Sequence, residues 1–154
     1  MFVVSRNGST NCYEETCTEL VATDLWRMVT GLIEKTLNTG DWLEAIALQD
    51  SMINERIESL ITVAKGFSKP NTLDRNVKAC LKLELMDDEI EVLKQIDAWR
   101  EMRNKAMHRM VKYSDDNFAL NWIERLQYVQ ACAVSGKSLV RLTSSAVARA
   151  KRRY

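Results

Sequence analysis

The chain has 154 residues, 46% of them hydrophobic and 28% charged, with a formal net charge of +1. This length suits one domain with a sizeable core, and the near-zero charge excludes a strong overall field for nucleic acid or a membrane surface. No stretch approaches the roughly 20 apolar residues of a membrane span, and the first apolar run is too short for a signal peptide. We therefore expect a cytoplasmic protein that does not bind a membrane.

The composition favours helix throughout. The chain contains one proline and five glycines, and no segment alternates apolar and polar residues as a strand does. We predict an all-α fold, an up-and-down bundle of four main helices plus a short one. Residues 1–14 are polar and irregular and are predicted to form a flexible N-terminal arm, with a single helical domain over residues 15–154.

The first two helices are predicted from periodic apolar residues. The first begins by Asp24, a plausible N-cap, or earlier, and it stops at residues 38–40 (Asn-Thr-Gly). Asp41 is then predicted to cap a second helix that ends at about Lys65. One charged residue, Asp50, interrupts the predicted inner stripe of this helix, which otherwise comprises Leu43, Ile46, Ile53, Ile57, Leu60 and Ala64.

The clearest loop covers residues 66–72 and holds the only proline. Thr72 is predicted to cap a short helix. A longer helix is predicted to start at the acidic residues 87–89 and to end near Tyr113. The short helix would bury Leu73, Val77, Cys80 and Leu81.

The last predicted helix starts at about Asn117, and the sequence leaves open whether it breaks at Gly136 or continues. Residues 131–138 (ACAVSGKS) fit a relaxed phosphate-loop pattern, but a helix-like segment precedes them and Ala131 replaces the first glycine. We interpret them as ordinary helix residues. The apolar side of this helix is predicted to comprise Trp122, Leu126, Val129, Ala133, Gly136, Val140 and Val147.

The cysteine pattern argues against a metal site. The chain has no CxxC pair, and its single histidine is too few for the usual zinc ligand spacings. We predict no metal and no cofactor. The four cysteines, Cys12, Cys17, Cys80 and Cys132, are expected to be reduced and partly buried.

The stretch most suggestive of chemistry is residues 97–110 (DAWREMRNKAMHRM), which contains the only histidine, His108. Residues four apart on a helix lie about 40° apart around its axis, so Asn104 and His108 share a polar edge, with Asp97 and Glu101. Arg103 instead falls on a stripe that is otherwise apolar, formed by Val92, Ile96, Trp99, Ala106 and Met110.

An arginine on a core-facing stripe is costly unless it is paired or meets a partner surface. Asp50 also lies on an apolar stripe, so we expect Asp50 to pair with Arg103 inside the bundle. A salt-bridged Arg103 beside an ordinary surface histidine would need no catalytic role, and the sequence leaves this possibility open.

Residues 103–108 (RNKAMH) resemble the signature of the HEPN superfamily, all-helical domains with an R-x4-6-H motif and a polar residue, often Asn, after the Arg. The resemblance extends over residues 24–135 in the order of the helices. It implies a metal-independent endoribonuclease that acts as a homodimer, typically a toxin or an anti-phage defence effector.

The residue types suit that chemistry. RNA supplies its own nucleophile, the 2′-hydroxyl, so cleavage needs a base, an acid and positive charge at the phosphate. His108 can serve in either proton role near neutral pH, Arg103 offers planar donors to phosphate, and Asn104 could orient the imidazole. Arg103 and His108 lie about 140° apart on a helix, so a two-fold axis would bring two such pairs into one cleft.

Further residues are weaker candidates. Asp50, Glu101 and Lys105 are candidates for a supporting role in the site. The basic end of the chain could contact RNA phosphates through Arg149, Lys151, Arg152 and Arg153, although a solvated helix end explains the same residues.

An alternative reading from another class is a non-catalytic HEPN-like dimer that binds a nucleotide or a partner protein, such as a nucleotidyltransferase or a cognate antitoxin. Some HEPN toxins carry a tyrosine two residues after the histidine, where a partner nucleotidyltransferase adenylylates it. Met110 occupies that position here, and the nearest downstream tyrosine is Tyr113. This departure argues against regulation of that kind.

Overall fold

The computed structural model describes residues 11–67, 69–111 and 118–154. Within these ranges the chain is all-helical, which confirms the predicted class, and no strand occurs there. The described helices are α1 (Asn11–Thr39), α2 (Trp42–Lys65), α3 (Leu73–Cys80), α4 (Asp87–Val111) and α5 (Phe118–Lys151).

The chain divides into two compact units, Met1–Leu32 and Ile33–Tyr154, and the boundary falls within α1. In the second unit α5 is the central helix, because both α2 and α4 pack mainly against it. The short α3 packs against α2 and α4. The largest fully buried apolar side chains of this core are Ile46, Ile53, Ile57, Val77, Cys80, Ile96, Val129 and Cys132.

Helix α1 starts earlier than Asp24. Asp24 lies within the helix and forms an exposed ion pair with Arg27, one turn later (3.7 Å), so it is not the N-cap. Residues 1–10 of the predicted arm lie outside the described residues, whereas residues 11–14 belong to α1. The predicted stop is confirmed, because Gly40 follows the helix with φ 84°, a left-handed conformation that glycine adopts without steric cost.

Asp41 and Thr72 occupy the predicted N-cap positions, but neither side chain makes a capping bond. The Asp41 carboxylate instead accepts a hydrogen bond from the Thr39 hydroxyl. The backbone begins the helix, since the Ala45 N–H donates to the Asp41 carbonyl (3.0 Å). Gly66 ends α2 in the left-handed conformation, with φ 78°.

Three leucines predicted to be buried are exposed. Leu43 and Leu126 are each 36% exposed because they line an open surface groove of about 310 Å³ between the start of α2 and α5. Leu81 is 46% exposed because it follows the last residue of α3 at its C-cap. Helical periodicity identifies the apolar side of a helix, but it does not show where the neighbouring helices end.

Helix α5 runs unbroken through Gly136, which settles the alternative that the sequence left open. Residues 131–138 are therefore helical, as interpreted, and form no phosphate loop. The predicted end of α4 near Tyr113 lies outside the described residues. Among the helices of the described ranges, none combines the length and the apolar character needed to cross a bilayer.

Candidate functional site

Helix α4 carries the motif without interruption. Val92, Ile96, Trp99 and Ala106 are buried, as predicted for the apolar stripe, while the Met110 side chain lies outside the described part. The polar side differs along its length: Asn104 is half-buried, whereas Glu101, Lys105 and His108 are exposed.

Arg103 pairs with Asp50 across α4 and α2. The Nη2 of Arg103 donates to Oδ1 of Asp50 at 2.7 Å, which confirms the predicted partner. The two side chains are 25% and 31% exposed, so the pair borders solvent. The Nε of Arg103 is buried and has no hydrogen-bond partner in the described structure. The ion pair with Asp50 therefore engages one nitrogen of Arg103, and the other N–H groups of the guanidinium form no hydrogen bond in the described structure.

Two buried side chains near this pair along α2 and α4 form hydrogen bonds to α5. The Gln49 amide donates from Nε2 to the Ala133 carbonyl at 2.8 Å, and the Trp99 indole donates to the Cys132 carbonyl at 3.0 Å. Gln49 is fully buried and Trp99 is 4% exposed. Sequence reasoning placed Trp99 on the core stripe but missed Gln49, which stands next to Asp50 on the same helix.

Gly136 explains how Gln49 fits. A Cβ on Gly136 would lie 2.1 Å from the Gln49 Oε1 and 2.9 Å from the Trp99 Cζ2. The absence of a side chain on α5 therefore creates the space that the Gln49 carboxamide occupies. The available sequence signal was an isolated glycine within a helical pattern, which costs about 1 kcal/mol relative to alanine.

The buried thiols are not nucleophiles at neutral pH. Burial raises the pKa of Cys132 to about 11, although the charge of Arg103 acts in the opposite direction. Burial likewise raises the pKa of Cys80 to about 12, against the smaller effect of Lys65. Both thiols remain protonated and act as small apolar residues.

One acidic residue of the predicted polar edge is already paired. Arg100 contacts Asp97 at 2.8 Å and reaches Asp74 of α3 at 3.5 Å. These contacts lie about one to three helical turns before Asn104 and His108 and tie α4 to α3. Asp97 therefore has a structural partner, and Asn104 and His108 are the accessible polar groups at the other end of this edge.

The basic end of the chain lies far from the motif. Arg149 pairs with Asp88 at 2.7 Å, and Arg153 pairs through two nitrogens with Glu89, both at the start of α4. From Asp88 to His108 a straight helix rises about 30 Å. Burial and the neighbouring Arg56 lower the pKa of Lys151, and Arg152 is exposed. The structure thus groups Arg103, Asn104 and His108 on one helix end and leaves the four basic residues at the opposite end.

Within the part of the chain that the structure describes, no three His, Cys, Asp or Glu residues form a group able to hold a metal ion. No protein-family model matches this chain, and no curated protein or solved structure shows significant similarity to it.

Proposed function

We propose that this protein is a metal-independent endoribonuclease with a HEPN-like up-and-down bundle, acting as a homodimer in a toxin or anti-phage defence role. One observation carries the proposal: an unbroken α4 presents the exposed His108 and the half-buried Asn104 at one end, with Arg103, whose side chain is 25% exposed, next to Asn104 in the sequence. These are the proton carrier, the orienting amide and the phosphate-binding cation that RNA cleavage requires.

In the proposed reaction the 2′-oxygen of a ribose attacks the adjacent phosphorus while the bond from phosphorus to the 5′-oxygen breaks. One imidazole takes the proton of the 2′-hydroxyl, and a second gives a proton to the departing 5′-oxygen, leaving a 2′,3′-cyclic phosphate. Each chain has one histidine. A two-fold axis near the end of α4 would supply the second from the partner copy.

Arg103 would stabilise the charge that develops on the phosphate oxygens. Its pairing with Asp50 engages one N–H of Nη2, and the remaining Nη1 and Nη2 donors would bind the phosphate, since the Nε is buried. In this scheme Asp50 orients Arg103, Lys105 adds positive charge at the rim, and Glu101 contributes to the exposed polar edge.

The experiment compares RNA cleavage by purified wild-type protein, Arg103→Ala and His108→Ala, all in the presence of EDTA. Arg141→Ala is the matched control, because Arg141 of α5 also pairs with a carboxylate, that of Glu34 at 3.4 Å, and is not among the candidate RNA-binding residues. We expect products with 2′,3′-cyclic phosphate ends from the wild type and the control. Loss of His108 should cost about 100-fold or more in rate.

The chain's fold must be intact for that comparison, so each variant is first checked by circular dichroism. Equal residual cleavage in folded wild type, Arg103→Ala and His108→Ala would show that the RNase activity of the sample is a contaminant, and the proposal would fail. Growth arrest on expression, relieved by either substitution, would support the toxin role.

A non-catalytic helical dimer that binds a nucleotide or a partner protein, such as a nucleotidyltransferase or antitoxin, is the second candidate. The ion pairs Arg103–Asp50 and Arg100–Asp97 favour it, since they give the motif helix a structural role without any substrate. Under this alternative Arg103→Ala lowers stability, and no RNA is cleaved by any variant.

A further inference from the structure

The alignment of Asp50 with Arg103 is set indirectly, through α5. Helices α2 and α4 touch each other little, and each packs mainly on α5. The 2.7 Å contact between Arg103 and Asp50 therefore depends on the axial position and rotation of α2 and α4 relative to α5. A small slide or rotation of either helix would separate the two charges.

Two buried hydrogen bonds fix the positions of α2 and α4 on neighbouring residues of α5. Gln49 donates to the carbonyl of Ala133, and Trp99 donates to the carbonyl of the preceding residue, Cys132. Gln49 directly precedes Asp50 on α2, and Trp99 lies one turn before Arg103 on α4. Both donors are at least nine-tenths buried, so water does not compete for these bonds.

We propose that Gln49 and Trp99 are positioning residues, which anchor α2 and α4 to consecutive carbonyls of α5 and thereby hold Asp50 against Arg103. Gly136 also contributes to this arrangement, because the absence of a side chain at Gly136 leaves room for the Gln49 carboxamide beside the Trp99 ring. The effect on RNA cleavage rests on the function proposed above, whereas the alignment of the ion pair does not.

The alignment is tested by a double-mutant cycle on unfolding. Wild type, Asp50→Asn, Arg103→Gln and the double variant are unfolded in urea, and the coupling of the two residues is extracted. The cycle is repeated in a Gln49→Met background, which keeps a side chain of similar size but removes the amide, and in a Trp99→Phe background, which removes the indole N–H.

The matched control background is Thr143→Val. This substitution also removes a buried polar group with little change in side-chain size, but on α5. The Thr143 hydroxyl donates to the carbonyl of Leu139 in its own helix and anchors no other helix. We expect a coupling of about fivefold to tenfold in the folding equilibrium constant in wild type and in Thr143→Val. In each anchor variant that folds, the coupling should fall below about twofold.

Unchanged coupling in either folded anchor variant overturns the proposal. So does the absence of coupling in the wild type, since the anchors would then have no ion pair to align. If the protein cleaves RNA, the anchor variants should lower kcat by about tenfold or more with little change in KM, because they misplace Arg103 without removing a binding group. If wild-type protein cleaves no RNA, the proposed function fails while the coupling result still decides the alignment.

Discussion

Replacing Gly136 by alanine adds a single methyl group at a crowded point of the described core. The new Cβ would lie 2.1 Å from Oε1 and 2.7 Å from Cδ of Gln49, and 2.9 Å from Cζ2 of Trp99. Atoms do not approach this closely, so the Gln49 carboxamide must leave its position and the indole must shift. The variant therefore breaks the hydrogen bond to Ala133 by steric pressure alone.

Three contributions set the size of the effect. Alanine is better than glycine inside a helix by about 1 kcal/mol, which favours the variant. Against it, overpacking a core costs about 1–3 kcal/mol, and a buried amide left without its partner costs about 1–3 kcal/mol more. The net expectation is a loss of about 1–5 kcal/mol in the free energy of unfolding, with the steric and polar costs exceeding the gain in helix propensity.

Urea unfolding followed by circular dichroism measures this change, and Gly31 supplies the control. A Cβ on Gly31 would meet nothing within 4 Å, so Gly31→Ala should keep the gain in helix propensity, up to about 1 kcal/mol. Adding Gln49→Ala to Gly136→Ala should recover part of the loss, because the methyl group then fills the vacated space. A Gly136→Ala variant as stable as the wild type, or more stable, would refute the reasoning.

Two further predictions concern titrating groups. Burial opposes ionisation of Glu89, but hydrogen bonds from Arg153 and the Met86 N–H outweigh it and hold the Glu89 pKa below its usual value. Ionised Glu89 therefore stabilises the folded state fully above its unfolded-state pKa of about 4.3. This stabilisation is lost as the pH falls through the lower pKa that Glu89 has in the folded state. Urea midpoints of Glu89→Gln should therefore fall less from pH about 7 to about 3 than those of the wild type, and equal slopes would contradict this. Cys80 and Cys132, with pKa values raised to about 12 and about 11, should resist iodoacetamide near neutral pH until urea is added. Site-resolved mass spectrometry would detect early labelling of either thiol, which would disprove their burial.

Much of the helical framework was predictable because helix periodicity is strong and its terminators are local. Gly40 and Gly66 both adopt the left-handed conformation at helix ends, a property that the residue type itself indicates. The Arg103–Asp50 pair was also predictable, since two charges of opposite sign each interrupted an apolar stripe. A buried charge requires a partner, and the sequence offered a suitable one.

Other features depended on three-dimensional detail. Asp41 has a residue type that caps helices, but the Thr39 hydroxyl occupies its carboxylate instead. The Gln49 anchor could not be read from the chain because its acceptor, the Ala133 carbonyl, is 84 residues away on another helix. The basic end of the chain lies far from His108 because α4 and α5 run antiparallel. The amino-acid composition gives no information about this distance. The roles of Arg103, Asn104 and His108 in catalysis remain predictions.

The contacts between the end of α5 and the start of α4 join opposite ends of two helix dipoles. Asp88 and Glu89 face the partial positive charge at the N-terminus of α4, and Arg149 faces the partial negative charge at the C-terminus of α5. Each side chain therefore has two favourable interactions, one with its own helix and one across the ion pair. At this end of the helix pair the charges that stop each helix from fraying also hold the two helices together.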